Sequence, residues 1–193
     1  MRRLILVRHA PTSATRAAAF PGDEPLDDAA ADAARALAAA VPSHAEIVSS
    51  PALRCLQTAA AAGLDPRLEP ELAECDFGSW AGRSLAEVHA EDPEGTTAWM
   101  VDPAARPHGG ESLTAFAARV ASWLDAQAGG DGWKLAVTHA GVIKAAIVDA
   151  LGAPLEAFWR IDIGPLSATE LHAHDGRWRL TRANAPLAGR AAS

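Results

Sequence analysis

Two histidines closely follow short apolar segments, and this placement indicates chemistry at one edge of a sheet. His9 comes after Leu4–Val7 and Arg8, and His139 comes shortly after Leu135–Val137. Continuous runs of apolar, β-favouring residues are typical of strands that are buried on both faces. Ligands of open α/β sheets bind at the carboxyl ends of the strands. An imidazole in that position can act as a nucleophile or transfer a proton, so His9 and His139 are candidate catalytic residues.

Two arginines accompany these histidines. Arg8 ends the first apolar segment, and Arg54 falls in the first turn of a helix that we predict after a strand over residues 45–48. Planar guanidinium groups match the oxygens of a phosphate and stabilise its charge. The chain as a whole carries a net charge of −7. We therefore expect a small cationic pocket within an acidic surface.

Composition excludes several classes of protein. With 193 residues, of which 49% are hydrophobic, the chain fits one domain with a sizeable core, residues 1–193. No basic stripe interleaved with aromatic residues is present, which argues against a nucleic-acid partner. The sequence has two cysteines, which do not make a disulfide framework.

The first residues do not predict a targeting segment. The apolar run after Met1, Arg2 and Arg3 ends at Arg8, which makes it too short for the core of a signal peptide. No segment reaches the length of a membrane span. We therefore expect a cytoplasmic protein with no membrane partner.

The elements that must position the candidate residues alternate between strands and helices. Strands are predicted over residues 4–7, 45–48, within 65–72, and over 135–137, 158–163, 167–172 and 178–181. Helices are predicted over 27–41, from 51 onwards, and over 85–90, 97–101, 111–127 and 141–151. Asp27 and Asp28 are expected to cap the first helix, and residues 11–25 are expected to form a loop. This alternation predicts an α/β fold, a three-layer α/β/α sandwich whose central sheet is mostly parallel with an antiparallel edge. Cap elements are expected at about 74–110.

Five segments together resemble a known family. Residues 8–12, Arg-His-Ala-Pro-Thr, are similar to the Arg-His-Gly-x-Thr signature of the histidine phosphatase (phosphoglycerate mutase-like) superfamily. Residues 49–59 resemble the second arginine segment of that family, and 72–82 its acid segment. Residues 109–112 resemble its Gly-Glu-Ser turn, and 138–141 its second histidine segment. The segments occur in the family's order across nearly the whole chain.

The resemblance implies a role for each candidate residue. His9 would attack phosphorus and form a phosphohistidine, while Arg8 and Arg54 bind the phosphoryl oxygens. Their charge would lower the pKa of His9. His139 would donate a hydrogen bond to a phosphoryl oxygen, best as a cation. Glu74 would protonate the leaving alkoxide and then accept a proton from water. No metal and no cofactor are implied.

Other residues are expected at the phosphate or at the rest of the substrate. Ala10 replaces the family's usual glycine, and Thr15 stands where the family often has asparagine. Thr15 and Ala140 are expected to bind phosphate. Further substrate contacts are expected from Thr12, Trp80, Trp99, His108 and Glu111. Glu111 can instead cap its helix together with Ser112.

The substrate is expected to be a small phosphomonoester. Mutases of the family have a longer insert between the acid and Gly-Glu-Ser segments than the span 74–111 provides, which favours hydrolysis. Ala98-Trp99 and Phe158-Trp159-Arg160 are most similar to α-ribazole phosphatases of cobalamin synthesis. Our first choice is therefore α-ribazole 5′-phosphate, acted on by a monomer or homodimer.

Several alternatives stay open at the level of the sequence. Within the family, they are a phosphoglycerate mutase and a broad-specificity sugar-phosphate phosphatase. A catalytically idle regulatory protein that binds phosphate esters would use the same fold. A metallohydrolase would use His9 and His139 as ligands instead.

Overall fold

One mixed sheet forms the centre of the molecule. The computed structural model describes residues 1–27 and 29–187. Its strands are β1 (Arg2–Arg8), β2 (Glu46–Ser49), β3 (Arg67–Leu68), β4 (Gly132–Thr138), β5 (Ser167–His174) and β6 (Arg177–Pro186). Their order in space is β3-β2-β4-β1-β5-β6. The first four in that order are parallel, whereas β5 pairs antiparallel with both β1 and β6. This confirms the predicted mostly parallel sheet with an antiparallel edge.

Helices cover both faces of this sheet. The α-helices are α1 (Ser13–Ala17), α2 (Ala30–Ala34), α3 (Leu37–Ala40), α4 (Leu53–Ala61), α5 (Leu85–Glu91), α6 (Pro93–Val101), α7 (Leu113–Ala128) and α8 (Ala140–Leu151). Short 3₁₀ segments lie at Pro70–Leu72, Gly78–Trp80 and Leu155–Arg160.

The alternation of side chains along β1 explains the three layers. Leu4 and Leu6 pack into a core with α7 and α8, whereas Ile5 and Val7 pack into a second core with α3 and α4. All four side chains are at most 2% exposed, and burial of each such side chain stabilises the fold by about 1.5–3 kcal/mol. A strand that is apolar on both faces requires a layer of helices on each side. The predicted α/β/α sandwich is therefore confirmed.

One continuous helix is predicted over 27–41 from the sequence, and this prediction is wrong. The structure has two short helices there, α2 and α3, joined by turn-like hydrogen bonds from Ala36 N–H to Ala33 O and from Ala39 N–H to Ala36 O. Bonds of this 3₁₀ type interrupt the α-helical ladder. The Asp27 carboxylate does not cap the segment, because it pairs with Arg16 at 2.8 Å. Asp28 lies outside the described residues.

Two further predictions of secondary structure fail. Residues 155–160 form a 3₁₀ segment rather than the predicted strand over 158–163, and Ala157 N–H donates to Pro154 O to close its first turn. The loop predicted over 11–25 contains α1. Thr12 caps that helix and exchanges hydrogen bonds with Thr15 in a capping box, although threonine here takes the position at which the sequence signature has glutamate or glutamine.

The segment over residues 74–110 carries α5 and α6, close to the helices predicted there. Phe20, Trp80 and Val88 form a small buried cluster, and Phe77 and Trp99 pack against it. This cluster is separate from the two cores that flank the sheet, so the cap elements have an apolar centre of their own.

Within the described residues, no helix is both long enough and apolar enough to cross a membrane.

Candidate active site

The carboxyl ends of β1, β2 and β4 meet at one point of the sheet edge. His9 N–H donates to Thr138 O and Ser50 N–H donates to Val137 O, each at 2.9 Å. The chain leaves β1 toward one face of the sheet and leaves β4 toward the other face, so a crevice opens between them. His9 and His139 face each other across this point, with ring centroids 5.3 Å apart.

The His9 ring is held in one tautomer. Its Nδ1 lies 2.7 Å from Ala10 O, and a carbonyl oxygen only accepts, so Nδ1–H is the donor. Nε2 therefore keeps its lone pair. The pKa of His9 is lowered to about 3, first by burial and then by the charges of Arg54 and Arg8. The expected direction is found, but burial is the largest cause rather than the arginines.

Ala10 does not crowd the site. Its backbone N–H donates to Thr58 Oγ1 at 3.0 Å. Its methyl group packs against Ala30 and Ala34 of α2. The side chain that replaces the family's glycine is therefore part of the core.

The His139 ring is also held, but in the opposite tautomer. Nδ1 lies 3.2 Å from Arg54 Nη2, and Nε2 lies 2.8 Å from Ser50 Oγ. A guanidinium only donates, so Nδ1 accepts and Nε2–H donates to Ser50. Burial, followed by the charges of Arg54 and His9, lowers the pKa of His139 well below its usual range. The ring is thus neutral here, which differs from the cation we expected.

Each arginine is anchored by a hydrogen bond from Nη1 to a backbone carbonyl. Arg8 Nη1 donates to Ile163 O at 2.5 Å, and Arg54 Nη1 donates to Gly22 O at 2.6 Å. In each residue the buried Nε has no hydrogen-bond partner among the described residues. An unpaired buried donor is costly, so these two N–H groups are available for an anion.

Glu74 is fixed by two backbone amides. Oε1 accepts from Cys75 N–H at 3.0 Å, and Oε2 accepts from Gly141 N–H at 3.1 Å in the first turn of α8. A β-carbon at Gly141 would overlap Glu74 Oε1. The glycine is therefore needed for the carboxylate to reach the start of this helix.

Arg119 of α7 holds the segment that carries Glu74. Its Nε and Nη2 bind both carboxylate oxygens of Glu111, at 2.9 and 2.8 Å. It also donates to three backbone carbonyls, those of Glu71 (2.6 Å), Ala73 (3.0 Å) and Glu74 (3.3 Å). Glu111 additionally accepts from Asp76 N–H at 3.1 Å. Glu111 therefore braces this segment, and the capping of α7 is left to Ser112 alone.

Two small cavities meet at the sheet edge. The first, which we call the inner cavity, has a volume of about 80 Å³ and is lined by Arg8, His9, Thr12, Ala14, Thr15, Ala19, Pro21, Glu24, Glu74 and Ala140. The second, which we call the aromatic cavity, has a volume of about 180 Å³ and is lined by Glu74, Cys75, Phe77, Trp99, Leu113, Phe116, Ala140, Gly141, Lys144, Phe158 and Trp159. Glu74 and Ala140 belong to both, so the carboxylate stands at the junction.

A larger groove of about 550 Å³ lies elsewhere, between β3 and α7. Arg67 and Trp123 line it, and none of the predicted catalytic side chains does. We therefore place the site at the two smaller cavities, where the charged and titratable groups converge.

The predicted phosphate ligands lie at the inner cavity or directly behind it. Arg8, Thr15 and Ala140 line the cavity. Ala140 is the first residue of α8, where backbone N–H groups have no partner within the helix. Arg54 and His139 are 3% and 1% exposed and lie behind the lining.

The predicted substrate contacts divide into two groups. Thr12 lines the inner cavity and Trp99 the aromatic cavity. Trp80 and His108 are only 4% and 3% exposed and line neither cavity. Their rings pack on each other with centroids 5.0 Å apart. We expected substrate contacts from both, whereas the structure has two packing residues in the interior of the cap.

Two charged lining residues were missed by the sequence analysis. Lys144 lies one helical turn after Ala140 and extends into the aromatic cavity, with its ammonium 5.1 Å from the centre of the Phe158 ring. Its spacing from Ala140 on α8 could have identified it. Glu24 lines the inner cavity from a loop. The position of a loop side chain cannot be predicted from the periodic patterns that identify helices and strands.

Within the described parts of the chain, no group of at least three His, Cys, Asp or Glu side chains is arranged to hold a metal ion. Burial raises the pKa of the Cys55 thiol beside His139 to about 12, so this thiol is protonated at neutral pH.

Comparison with known proteins identifies similar chains. The family model of the histidine phosphatase superfamily (branch 1) matches residues 4–186. The chain is 32% identical over 184 residues to a bifunctional protein of Mycobacterium tuberculosis, covering 89% of this chain and 50% of that protein. It therefore spans about half the length of that relative. It is also 32% identical over 215 residues to the glucosyl-3-phosphoglycerate phosphatase of Mycolicibacterium vanbaalenii, covering 96% of this chain and 95% of that protein.

A solved structure extends the likeness to the fold. The α-ribazole phosphatase of Shigella flexneri superposes with a TM-score of 0.85 at 26% identity, covering 99% of this chain and 100% of that chain.

Proposed function

The chain belongs to the histidine phosphatase superfamily, and from this premise we propose that it hydrolyses a phosphomonoester through a phosphohistidine on His9. The observation that carries the proposal is the hydrogen bond of 2.7 Å from His9 Nδ1–H to Ala10 O. It leaves the Nε2 lone pair at the inner cavity beside Arg8. A neutral imidazole in this state is a competent nucleophile toward phosphorus.

In the first step, His9 Nε2 forms a bond to phosphorus while the bond from phosphorus to the alcohol oxygen breaks. The guanidinium groups of Arg8 and Arg54 stabilise the charge on the transferred oxygens through their unpaired Nε–H groups. Glu74 at the junction of the two cavities donates a proton to the departing alkoxide. Burial and the arginine charges keep His139 neutral in the empty site. A bound dianion offsets the arginine charges, so the ring can take up a proton from solvent and donate to the phosphoryl group.

In the second step, water replaces the alcohol. Glu74, now a carboxylate, takes a proton from the water as its oxygen attacks phosphorus, and the bond to His9 Nε2 breaks. Orthophosphate and neutral His9 are the products. The lining of the inner cavity supports this assignment, because Arg8, His9 and Glu74 converge on one small space of about 80 Å³.

The aromatic cavity supports a leaving group that contains a ring. Trp99 and Trp159 meet edge to face with centroids 4.7 Å apart, and Phe158 lies 5.2 Å from Trp159. Such walls favour flat, apolar ligands. We infer that α-ribazole 5′-phosphate, whose base is a flat ring system, is the substrate. The likeness to an α-ribazole phosphatase supports the same choice.

A second candidate follows from Lys144. Its ammonium has no salt bridge or hydrogen bond to another described residue, only the Phe158 ring beneath it. A cation in an apolar cavity favours a leaving group with an acceptor or a carboxylate. A phosphorylated glyceric acid derivative would supply the carboxylate, and the likeness to a glucosyl-3-phosphoglycerate phosphatase supports this candidate.

One set of assays tests these proposals. Brief mixing with substrate should label His9, and the label should be labile in acid and stable in alkali, as a phosphohistidine is. Binding of phosphate esters without turnover would instead favour a regulatory protein. Phosphate release from α-ribazole 5′-phosphate should exceed release from 3-phosphoglycerate esters. Faster release from 3-phosphoglycerate esters would instead favour a phosphorylated glyceric acid derivative as the substrate.

A further inference from the structure

Glu24 is a second carboxylate at the inner cavity, and the mechanism above does not use it. Its side chain is 17% exposed and lies 3.8 Å from Arg54, measured from Oε1 to Nη1. Oε1 also accepts from Thr12 Oγ1 at 3.1 Å. Glu24 and Glu74 therefore line the same space of about 80 Å³, together with Arg8 and His9.

The loop that carries Glu24 is fixed to α4. Gly22 O accepts from Arg54 at 2.6 Å, and Asp23 Oδ1 accepts from Leu53 N–H at 2.9 Å. Leu26 N–H donates to Gln57 Oε1 at 2.8 Å. Contacts on both sides of Glu24 thus hold its carboxylate at the cavity wall.

The position of Glu24 differs from that of the proposed acid. Glu74 lines both the inner and the aromatic cavity, so it reaches the leaving group. Glu24 does not line the aromatic cavity. It lines instead a groove of about 290 Å³ on the outer side, which shares Ala14 and Ala19 with the inner cavity. A carboxylate here cannot protonate the leaving group, but it lies close to any phosphoryl group that is bound.

We propose that Glu24 sets the affinity of the inner cavity for phosphate, and that it weakens the binding of the orthophosphate product. This inference rests on the proposed phosphatase function. The carboxylate repels a phosphate dianion at close range and competes with it for the Arg54 guanidinium. Because the side chains of Arg54 and Glu24 are largely buried, this repulsion is screened less than it would be at the surface. Release of orthophosphate from the inner cavity is thereby favoured.

The test is the binding of inorganic phosphate by isothermal titration calorimetry at pH 8, where phosphate is mainly the dianion. Glu24→Gln keeps an oxygen that accepts from Thr12, so the loop is retained while the charge is removed. We expect the dissociation constant of phosphate to fall about tenfold or more in this variant. Glu24→Ala should also bind phosphate more tightly. This second variant tests the effect of the Glu24 charge if the glutamine variant does not fold. Glu94→Gln, which removes an exposed carboxylate from α6, should bind as the wild type does.

Turnover provides the second readout. Product inhibition of p-nitrophenyl phosphate hydrolysis should become stronger in Glu24→Gln by the same factor as binding. Phosphate binding within twofold of the wild type in both Glu24 variants, or weaker binding, would overturn the inference. So would the absence of phosphate binding in every form. Binding that tightens as expected in a protein that hydrolyses no ester would refute the proposed function alone.

Discussion

The inner and the aromatic cavity share Glu74 and Ala140, yet they are built in different ways. Around the inner cavity, His9 and Arg8 are held by hydrogen bonds to backbone carbonyls at 2.5 to 2.7 Å. Around the aromatic cavity, rings such as Trp99 and Trp159 meet edge to face. Directional bonds to the backbone fix atoms within tenths of an ångström, whereas ring packing fixes a shape. We therefore expect the proposed chemical step to depend on the inner cavity and the proposed choice of substrate to depend on the aromatic cavity.

The two cavities also draw on different parts of the chain. The inner cavity depends on residues that immediately follow strands, as His9 and His139 do. The aromatic cavity combines side chains from the cap, from α7, from α8 and from the 3₁₀ segment Leu155–Arg160. Substitutions in the first should therefore lower kcat for every substrate, and substitutions in the second should change KM for some substrates.

The largest expected effect tests the inner cavity directly. His9→Ala removes the nucleophile, and kcat should fall by about 10⁴-fold or more for every phosphomonoester. His174→Ala, which removes an exposed imidazole at the far end of β5, serves as the matched control and should retain full activity. Steady-state phosphate release measures both. Retention of more than a tenth of the activity in His9→Ala would assign the chemistry to another group.

Glu74→Gln tests the proposed proton donor, which lines both cavities. It removes the proton donor, so alkyl phosphates should be hydrolysed about 10²–10³-fold more slowly. p-Nitrophenyl phosphate should slow far less, because its leaving group needs little protonation. Glu71→Gln changes an exposed carboxylate in the same segment and is the control. If both ester types slow equally, the acid role belongs to a different carboxylate.

The third prediction concerns the buried imidazole of the inner cavity. Between pH 6.5, the usual pKa of histidine, and the value of about 3 in the fold, the unfolded chain binds a proton that the folded chain does not. The free energy of unfolding should therefore decrease as the pH falls below 6.5, by about 1.4 kcal/mol per pH unit for one ring.

Urea unfolding of the wild type and of His9→Gln at pH 7.5 and pH 5 measures this effect. The glutamine does not titrate, so its variant should lose about 2 kcal/mol less stability between these pH values. The carboxylates titrate equally in both proteins. An identical loss in the two proteins would show that His9 is not held neutral by the fold.

The smallest effects are expected in the aromatic cavity. Trp99→Ala opens one wall, and KM for α-ribazole 5′-phosphate should rise about tenfold with kcat nearly unchanged. KM for p-nitrophenyl phosphate should change less. Lys144→Met should instead raise KM for carboxylate-bearing esters. A fall in kcat for all substrates in either variant would contradict the expectation that the aromatic cavity affects substrate choice and not the chemical step.

The sequence by itself determined the fold class and the placement of His9 and His139 at the ends of two strands. Leu4–Val7 require a strand that is buried on both faces, and the polar residues after such strands must lie at one edge of a parallel sheet. His9 lies at that edge, where burial and the nearby arginines lower its pKa in the expected direction. The continuity of the helix over 27–41 could not be predicted, since short alanine side chains leave the choice between α and 3₁₀ bonding to the packing around them.

Only the tertiary structure decided which side chains complete the site. Trp80 and His108 are buried in the cap rather than at a cavity, whereas Glu24 and Lys144 line the cavities. The charge state of His139 was also decided there, because burial and the Arg54 guanidinium act on the ring from residues distant in sequence. Strand ends are positioned by the regular geometry of the sheet, which a local pattern encodes. Loops and cap helices are positioned by contacts between distant residues, which no local pattern contains.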